Sequence, residues 1–207
     1  MRRMVWLAGL VLAGTSCAAL ASAPSYDFIQ LDYVAVNPNS DDSDVDFQGV
    51  DFHVSGLIAP YLIFNASYEY LESDSFQAAL PPSPESRFEN QTVTAGLTGR
   101  LPLVRNMLEG TLGANFIYAD TKLRGDTGDD GEYDNGYEVK AALRANFQYF
   151  EAIPHVRYVD IFDEDDIGIG IQLLGCMGYG VCFTGGYEYL KDAESSRYFG
   201  GVRFYYD

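Results

Sequence analysis

From residue 28 onward, the chain alternates apolar and polar side chains in short runs separated by turns and loops. In the first run, Ile29, Leu31 and Tyr33 alternate with Gln30 and Asp32. Side chains two positions apart lie on the same face of a β-strand, so each run predicts a strand with one apolar and one polar face. Ten runs follow this pattern, over residues 28–35, 49–55, 62–70, 92–100, 108–118, 137–145, 151–158, 167–173, 181–189 and 197–206.

The connections between these strands alternate in length. Short turns are predicted near 57–60, 101–106, 146–149 and 177–180, and longer loops near 37–46, 71–89, 120–134, 160–166 and 191–195. Short turns on one rim and long loops on the other are typical of a transmembrane β-barrel. We therefore predict an all-β protein with a single antiparallel transmembrane barrel of about ten strands. An even number places both termini on the short-turn, periplasmic side.

Two runs are less regular than the others, and this leaves an eight-stranded barrel as the alternative. The run over 92–100 has a thin apolar face. The run over 151–158 contains Pro154, which has no N–H to donate to a β-ladder, so we expect a bulge there. No later segment approaches the 18 consecutive apolar residues of a transmembrane helix.

The N-terminal segment predicts a targeting signal rather than part of the folded domain. Arg2 and Arg3 precede a short apolar core and a run of small residues. This order is typical of a cleaved secretory signal peptide, and the Ala19-Leu20-Ala21 motif places its end at residue 21. The predicted domains are thus a signal peptide over 1–21 and an outer-membrane β-barrel over 22–207. Cleavage after Ala23 and lipid attachment at Cys17 are the alternatives.

The net charge of the chain limits the classes of partner that it can bind. The sequence contains 13 basic and 30 acidic residues, for a net charge of −17. Such acidity argues against nucleic acid as a partner, because phosphate binding needs a basic face. A hydrophobic fraction of 47% argues against disorder. We place 21 of the acids in the five long loops, so the predicted extracellular loops are strongly acidic.

The polar strand faces, in contrast, carry nearly balanced charge. Isolated charges are costly in an enclosed space, so these residues are expected to pair inside a narrow lumen. The predicted lumen charge network comprises Glu69, Arg100, Glu109, Glu138, Lys140, Arg144, Glu151, His155, Arg157, Glu188 and Arg203. The apolar faces lack charge and gather Tyr and Phe toward the strand ends, as lipid contact requires. A soluble, lipocalin-like barrel with the apolar face inside is the competing fold.

The end of the chain carries a resemblance to a known family. Gly201, Phe204 and Tyr206 match the glycine and two hydrophobic residues of a C-terminal assembly signal. With the signal peptide and the alternating strands, this resembles the small outer-membrane β-barrel proteins of Gram-negative bacteria, both porin-like and OmpA-like. The resemblance implies residence in the cell outer membrane, contact with its lipid and lipopolysaccharide, and recognition by the barrel-assembly machinery. Phe199, where a polar residue is usual, and Asp207, after the final aromatic residue, depart from the pattern.

Few groups of residues suggest a redox, metal-binding or catalytic site. Cys176 and Cys182 flank the last short turn, so in an oxidising compartment they predict a cross-strand disulfide, with two free thiols as the alternative. The acidic segments 42–46 and 126–131 lack the spacing of calcium loops, so no metal or cofactor is predicted, with weak divalent-cation binding by these loops as the alternative. His53 and His155 both lie on polar faces, but no nucleophile motif such as GxSxG accompanies them.

These observations lead to a prediction of function by class. We predict a non-enzymatic, monomeric outer-membrane protein with a charge-paired lumen and acidic extracellular loops. The alternatives are a narrow porin-like channel for small cationic solutes, an outer-membrane hydrolase or acyltransferase, and a soluble periplasmic lipocalin-like binding protein.

Overall fold

A computed structural model describes residues 25–38, 46–74, 76–77, 85–125, 128–147, 149–162, 164–177 and 180–206. The predicted signal peptide, residues 1–21, lies outside them. No helix in these ranges is long and apolar enough to cross a bilayer. The strands are β1 (Phe28–Pro38), β2 (Phe47–Ala59), β3 (Leu62–Ser73), β4 (Phe76–Gln77), β5 (Glu85–Val104), β6 (Leu108–Gly125), β7 (Gly128–Asn146), β8 (Phe150–Ile161), β9 (Glu164–Cys176), β10 (Val181–Leu190) and β11 (Ser195–Tyr205).

The strands form one closed antiparallel barrel. Each long strand pairs with its neighbours in the chain, β1 pairs with β11, and pairing of β3 with β5 closes the ring. The two-residue strand β4 pairs only with β5 and adds nothing to the wall. The wall therefore has ten strands, which confirms the all-β fold and the predicted strand number.

The two faces of the barrel reverse the arrangement of a soluble protein. Charged side chains are buried inside, with Glu188 2% and Arg144 3% exposed, whereas Leu31 is 49% and Phe116 57% exposed on the outer wall. Since alternation fixes which side chains share a face, these values place the polar face of the strands in the lumen. The lipocalin-like alternative, which needs the apolar face inside, does not fit this arrangement.

The connections define two rims. The turn rim carries the connections after β2, β5, β7 and β9, and the loop rim carries those after β1, β3, β6, β8 and β10. The predicted loop over 120–134 is wrong in part, because residues 120–125 and 128–134 continue β6 and β7. Segments 39–45 and 126–127 lie outside the described residues, and most of the two acidic segments considered as calcium loops falls in them or in β7.

Strands β5, β6 and β7 are longer than the rest of the wall. They contain 20, 18 and 19 residues, against 10 to 13 in the other seven wall strands. The last pairing of β7 with β8 joins Tyr137 to Asp160, so residues 128–136 continue beyond the neighbouring strand. These residues pair with β6 and form a ribbon above the rest of the wall. At about 3.3 Å per residue, the ribbon extends about 30 Å along the strand.

Irregular pairing occurs at two turns rather than at the proline. The β2–β3 register shifts between Leu57 and Ala59, and the β5–β6 register between Pro102 and Val104. Pro154 interrupts the β7–β8 ladder, but the pairs on either side of it keep the same register. The bulge predicted at Pro154 is therefore wrong, because the missing N–H costs ladder bonds without inserting a residue.

Candidate functional site: the barrel lumen

The lumen is crossed near the turn rim by the side chain of Tyr26, which precedes β1. Its phenol donates a hydrogen bond to Glu109 Oε2 at 2.5 Å. Glu109 stands on β6, four strands away around the ring. The Tyr26 ring lies between the guanidinium groups of Arg100 and Arg144, at 4.9 and 4.8 Å. Burial and the hydrogen bond to Glu109 raise the pKa of Tyr26 to about 12, so the phenol remains a donor at neutral pH.

A second aromatic residue, Tyr205 of β11, crosses the lumen at the same level. Arg144 Nη2 donates to the phenol of Tyr205 at 2.9 Å, which joins β7 to β11 across the lumen. Arg144 also donates to Glu151 Oε2 at 2.7 Å and to the carbonyl of Ser25. We call this level the floor; it consists of Tyr26, Phe28, Arg100, Glu109, Arg144, Glu151, Arg203 and Tyr205.

Arg203 occupies the floor without a carboxylate partner. Its guanidinium donates to the side-chain oxygens of Gln30 at 2.7 Å and Gln172 at 3.3 Å, and lies 3.9 Å from the centroid of the Phe28 ring. Among the described residues, no Asp or Glu oxygen forms an ion pair with it. Sequence alternation placed Arg203 correctly on the polar face, but did not indicate that amides and aromatic rings hold it.

Above the floor, carboxylates and cations form a middle layer. Arg157 contacts Glu188 at 2.8 Å and Glu138 at 3.2 Å. Arg197 contacts Glu69 and, at 3.5 Å, Asp51. Alternation also places Arg197 and Asp51 on the polar faces of their strands, although the predicted network does not include them. The middle layer consists of Asp51, Glu69, Glu138, Lys140, Arg157, Glu188 and Arg197.

Lys140 differs from the other cations of this layer. It lines the central cavity, and within the described residues its ammonium has no ion pair or hydrogen bond. The charged groups that act on it most strongly are Glu138, Glu188, Arg157 and Arg197. The carboxylates on this level are thus already held by the two arginines.

Glycines on β9 create the space for the middle layer. Gly168 and Gly170 face the lumen between outward isoleucines. A Cβ at Gly168 would lie 2.7 Å from Glu188 Oε1, and one at Gly170 2.8 Å from His155 Nε2. The side chains of β8 and β10 meet across these glycines, with His155 Nε2 3.2 Å from Glu188 Oε1.

The lumen becomes apolar toward the loop rim, which the sequence analysis missed. On several strands, the next inward residue beyond a middle-layer charge is aliphatic: Leu71 follows Glu69, Val159 follows Arg157, and Leu190 follows Glu188. We call this level the collar; it consists of Val36, Phe47, Leu71, Ile117, Ala119, Val159, Ile161 and Leu190. The sequence contains this pattern, because these residues occupy inward-facing positions near the loop-rim ends of strands whose central inward positions are polar.

One cavity of about 1230 Å³ connects the levels. It is lined by floor residues such as Tyr26 and Arg144, by the middle layer and the collar, and at the loop rim by Asp165, Asp166 and Asp192. The lumen is therefore a deep polar space with an apolar collar beneath an acidic mouth.

The predicted disulfide is confirmed. Cys176 and Cys182 face each other across the β9–β10 pair and are bonded. The bond closes a short loop at the turn rim, so the lost loop entropy of the unfolded chain should contribute roughly 2 kcal/mol to the free energy of unfolding.

We expect the double variant Cys176→Ser, Cys182→Ser to lose about this much unfolding free energy in urea, measured in detergent micelles. The oxidised and reduced wild type should differ equally; identical transitions would contradict the expectation.

The residues of the predicted assembly signal lie on β11 and just beyond its end. Phe204 points outward and is 49% exposed, whereas Gly201 faces the lumen. Tyr206 follows the strand, and its hydroxyl donates to the carbonyl of Ser55 at 2.9 Å. Phe199, the departure from the family pattern, faces inward against Gly186 and lies beneath Arg197. Their role in assembly remains a prediction.

The two histidines lie on opposite walls. His53 of β2 packs edge-on against Phe28, with ring centroids 5.3 Å apart. His155 of β8, five strands away around the ring, contacts Glu188. The structure therefore does not bring the histidines of the hydrolase alternative together.

Comparison with known proteins informs the fold. No protein-family model and no curated protein matches the sequence. The transport unit of the autotransporter AIDA-I from Escherichia coli matches with a TM-score of 0.54 at 10% identity, covering 94% of this chain and 97% of that one. The translocator domain of the autotransporter NalP from Neisseria meningitidis matches with a TM-score of 0.50 at 10% identity, covering 97% of both chains. This is the fold of an outer-membrane β-barrel. The NanC porin also matches, with a TM-score of 0.48, 11% identity and coverage of 86% and 100%.

Proposed function

We propose that this barrel is a non-enzymatic outer-membrane protein whose lumen is a blind pocket, open at the loop rim and closed at the turn rim. The floor is the observation that carries the proposal. Tyr26 and Tyr205 reach from the β1–β11 wall to Glu109 and Arg144 on the facing wall, so protein atoms occupy the width of the lumen. Loops that face outward and a lumen closed behind them suit a surface protein better than a general diffusion channel.

The outer surface supports residence in the outer membrane. Apolar side chains such as Leu31, Val93 and Leu97 are exposed along the wall, where only lipid would cover them. Exposed aromatic residues stand at both ends of this band, for example Tyr68 and Phe183. We extend the proposal to contact with lipopolysaccharide, to assembly by the barrel machinery through the C-terminal residues, and to a monomer.

A narrow channel is the second candidate, because the 1230 Å³ cavity reaches from the mouth to the floor. Only the floor then separates the two rims. The candidates differ in a single property, the current through one barrel.

Planar-bilayer recording tests the proposal. We expect the wild type to give no steady single-channel current, and the double variant Tyr26→Ala, Arg144→Ala to give open currents because it removes both crossings. The matched control is Arg87→Ala, which deletes an exposed guanidinium from the outside of β5. Steady currents in the wild type, unchanged by the floor variant, would establish the channel instead.

A further inference from the structure

The layers of the lumen are arranged as a binding site for one kind of molecule. An apolar collar is unexpected inside a membrane barrel, whose interior is normally polar and wet. Leu71, Ile117 and Ala119 are buried, but the other five collar residues are partly exposed and line the cavity, so only an occupant would cover that surface. Contact with an apolar body would remove this surface from water, which favours binding.

We propose that the lumen binds a small organic cation with an apolar body, which enters through the mouth and places its charge just below the collar. The proposal rests on the proposed function only in requiring a lumen that is open at the loop rim. The apolar body would contact the collar, and the ammonium would reach the middle layer.

The charge of the middle layer favours a cation over an anion. Four carboxylates face three cations there, so the layer carries one net negative charge. Asp51 Oδ1 is buried and has no hydrogen-bond partner within the described residues, while Oδ2 of the same carboxylate lies 3.5 Å from Arg197. A buried acceptor without a donor is costly. The Asp51 side chain lines the cavity and is 19% exposed, so rotation of its carboxylate toward the cavity would let Oδ1 accept an ammonium N–H.

Position supports the same assignment. Asp51 and Glu69 are paired neighbours on β2 and β3. The next inward positions toward the loop rim are Gly49 and Leu71, so the free oxygen lies directly beneath the collar. A ligand of ordinary size would therefore contact both levels at once.

The mouth adds attraction and aromatic surface. Among the described residues at this rim, Asp165, Asp166 and Asp192 line the cavity with Lys191 as the single base, so the local field draws cations inward. Phe162 also lines the cavity and holds a left-handed backbone conformation, with φ 57°. Its amide donates to Asp134 Oδ2 at 2.5 Å, which keeps this strained residue in place. An aromatic face near the entrance adds cation–π attraction.

The experiment measures binding of three water-soluble probes of similar size to the oxidised barrel in nonionic detergent. The probes are benzylammonium, benzenesulfonate and benzyl alcohol, and the readout is isothermal titration calorimetry. We expect saturable binding of the ammonium, at least tenfold tighter than that of either other probe. Asp51→Asn and Leu190→Ser should each weaken it at least fivefold, because Leu190 is a collar residue that is partly exposed to the cavity. Glu72→Gln, which removes one carboxylate from the outer face of β3, is the matched control and should not change it.

Each other outcome overturns the inference. Tighter binding of benzenesulfonate would make Lys140 an anion site instead. Equal binding of all three probes would show apolar partition only, and no saturable binding would show that the mouth loops or water fill the collar. A gel shift between unheated and boiled samples confirms that each variant is folded. Because bilayer current is measured separately, a conducting lumen that still binds the ammonium would refute the blind pocket alone.

Discussion

Replacing Gly201 with alanine should prevent the purified chain from refolding into a barrel in detergent micelles. Gly201 faces the lumen between β1 and β10, where the Thr184 hydroxyl donates across it to Asp32. A Cβ at this position would collide with the backbone carbonyl oxygen of Leu31 and lie 2.5 Å from Asp32 Oδ1. Backbone cannot move aside as a side chain can, so we expect a loss of about 3 kcal/mol or more.

The neighbouring residue provides the control. Gly200 points outward, and a Cβ there would lie 3.7 Å from its nearest atom, an ordinary contact. Gly200→Ala should therefore refold with the wild-type yield, measured as the fraction that shifts on a gel after boiling. This design also separates packing from recognition. If Gly201→Ala refolds normally in micelles and fails only in cells, the glycine acts through the assembly machinery rather than through packing.

Replacing Arg157 with alanine should destabilise the folded barrel by about 3 kcal/mol. Arg157 is the cation shared by Glu138 and Glu188, whose side chains are 11% and 2% exposed. Removing one partner of a buried pair leaves uncompensated charge that is shielded from bulk water, which costs far more than a surface pair contributes. The free energy of unfolding in urea measures the loss.

Two further variants show whether buried charge is the cause. Arg87→Ala breaks a pair with Glu72 whose side chains are 45% and 34% exposed. It also removes a 3.4 Å contact with the buried Glu89, but that carboxylate keeps Arg124 at 2.9 Å, so the variant should cost less than about 1 kcal/mol. Adding Glu188→Gln to Arg157→Ala should recover part of the loss, because it removes one uncompensated carboxylate. If the double variant is less stable than Arg157→Ala alone, charge is not the origin of the effect.

The wall of the barrel was predictable because its rule is local. Alternation of two identifies strands, and complementary charges on the polar face indicate which face is enclosed. Loop lengths were less predictable: the acidic stretch over 128–136 resembles a loop in composition, yet it pairs with β6 as the edge of a ribbon. Backbone hydrogen bonds to β6 determine the structure of this stretch, and residue composition alone does not predict such bonds.

The floor was not predictable, because its contacts cross the lumen. Tyr26 precedes the first alternating run, and nothing in its neighbours along the chain indicates a partner 83 positions away. Which strands oppose each other depends on closure of the ring, and that is a property of the whole chain. The collar, in contrast, stood in the sequence as aliphatic residues at Leu71, Val159 and Leu190. It was missed because every inward position was assumed to be polar.

The unequal height of the wall gives the mouth a direction. The ribbon of β5–β7 rises on one side, whereas Asp166 near the start of β9 and Asp192 in the β10–β11 connection lie on the other. Among the described residues, the ribbon side therefore presents a screen of backbone and the lower side presents carboxylates. We expect molecules to reach the lumen over the lower side, so the crowding of neighbouring surface molecules there would govern how fast the pocket exchanges its contents.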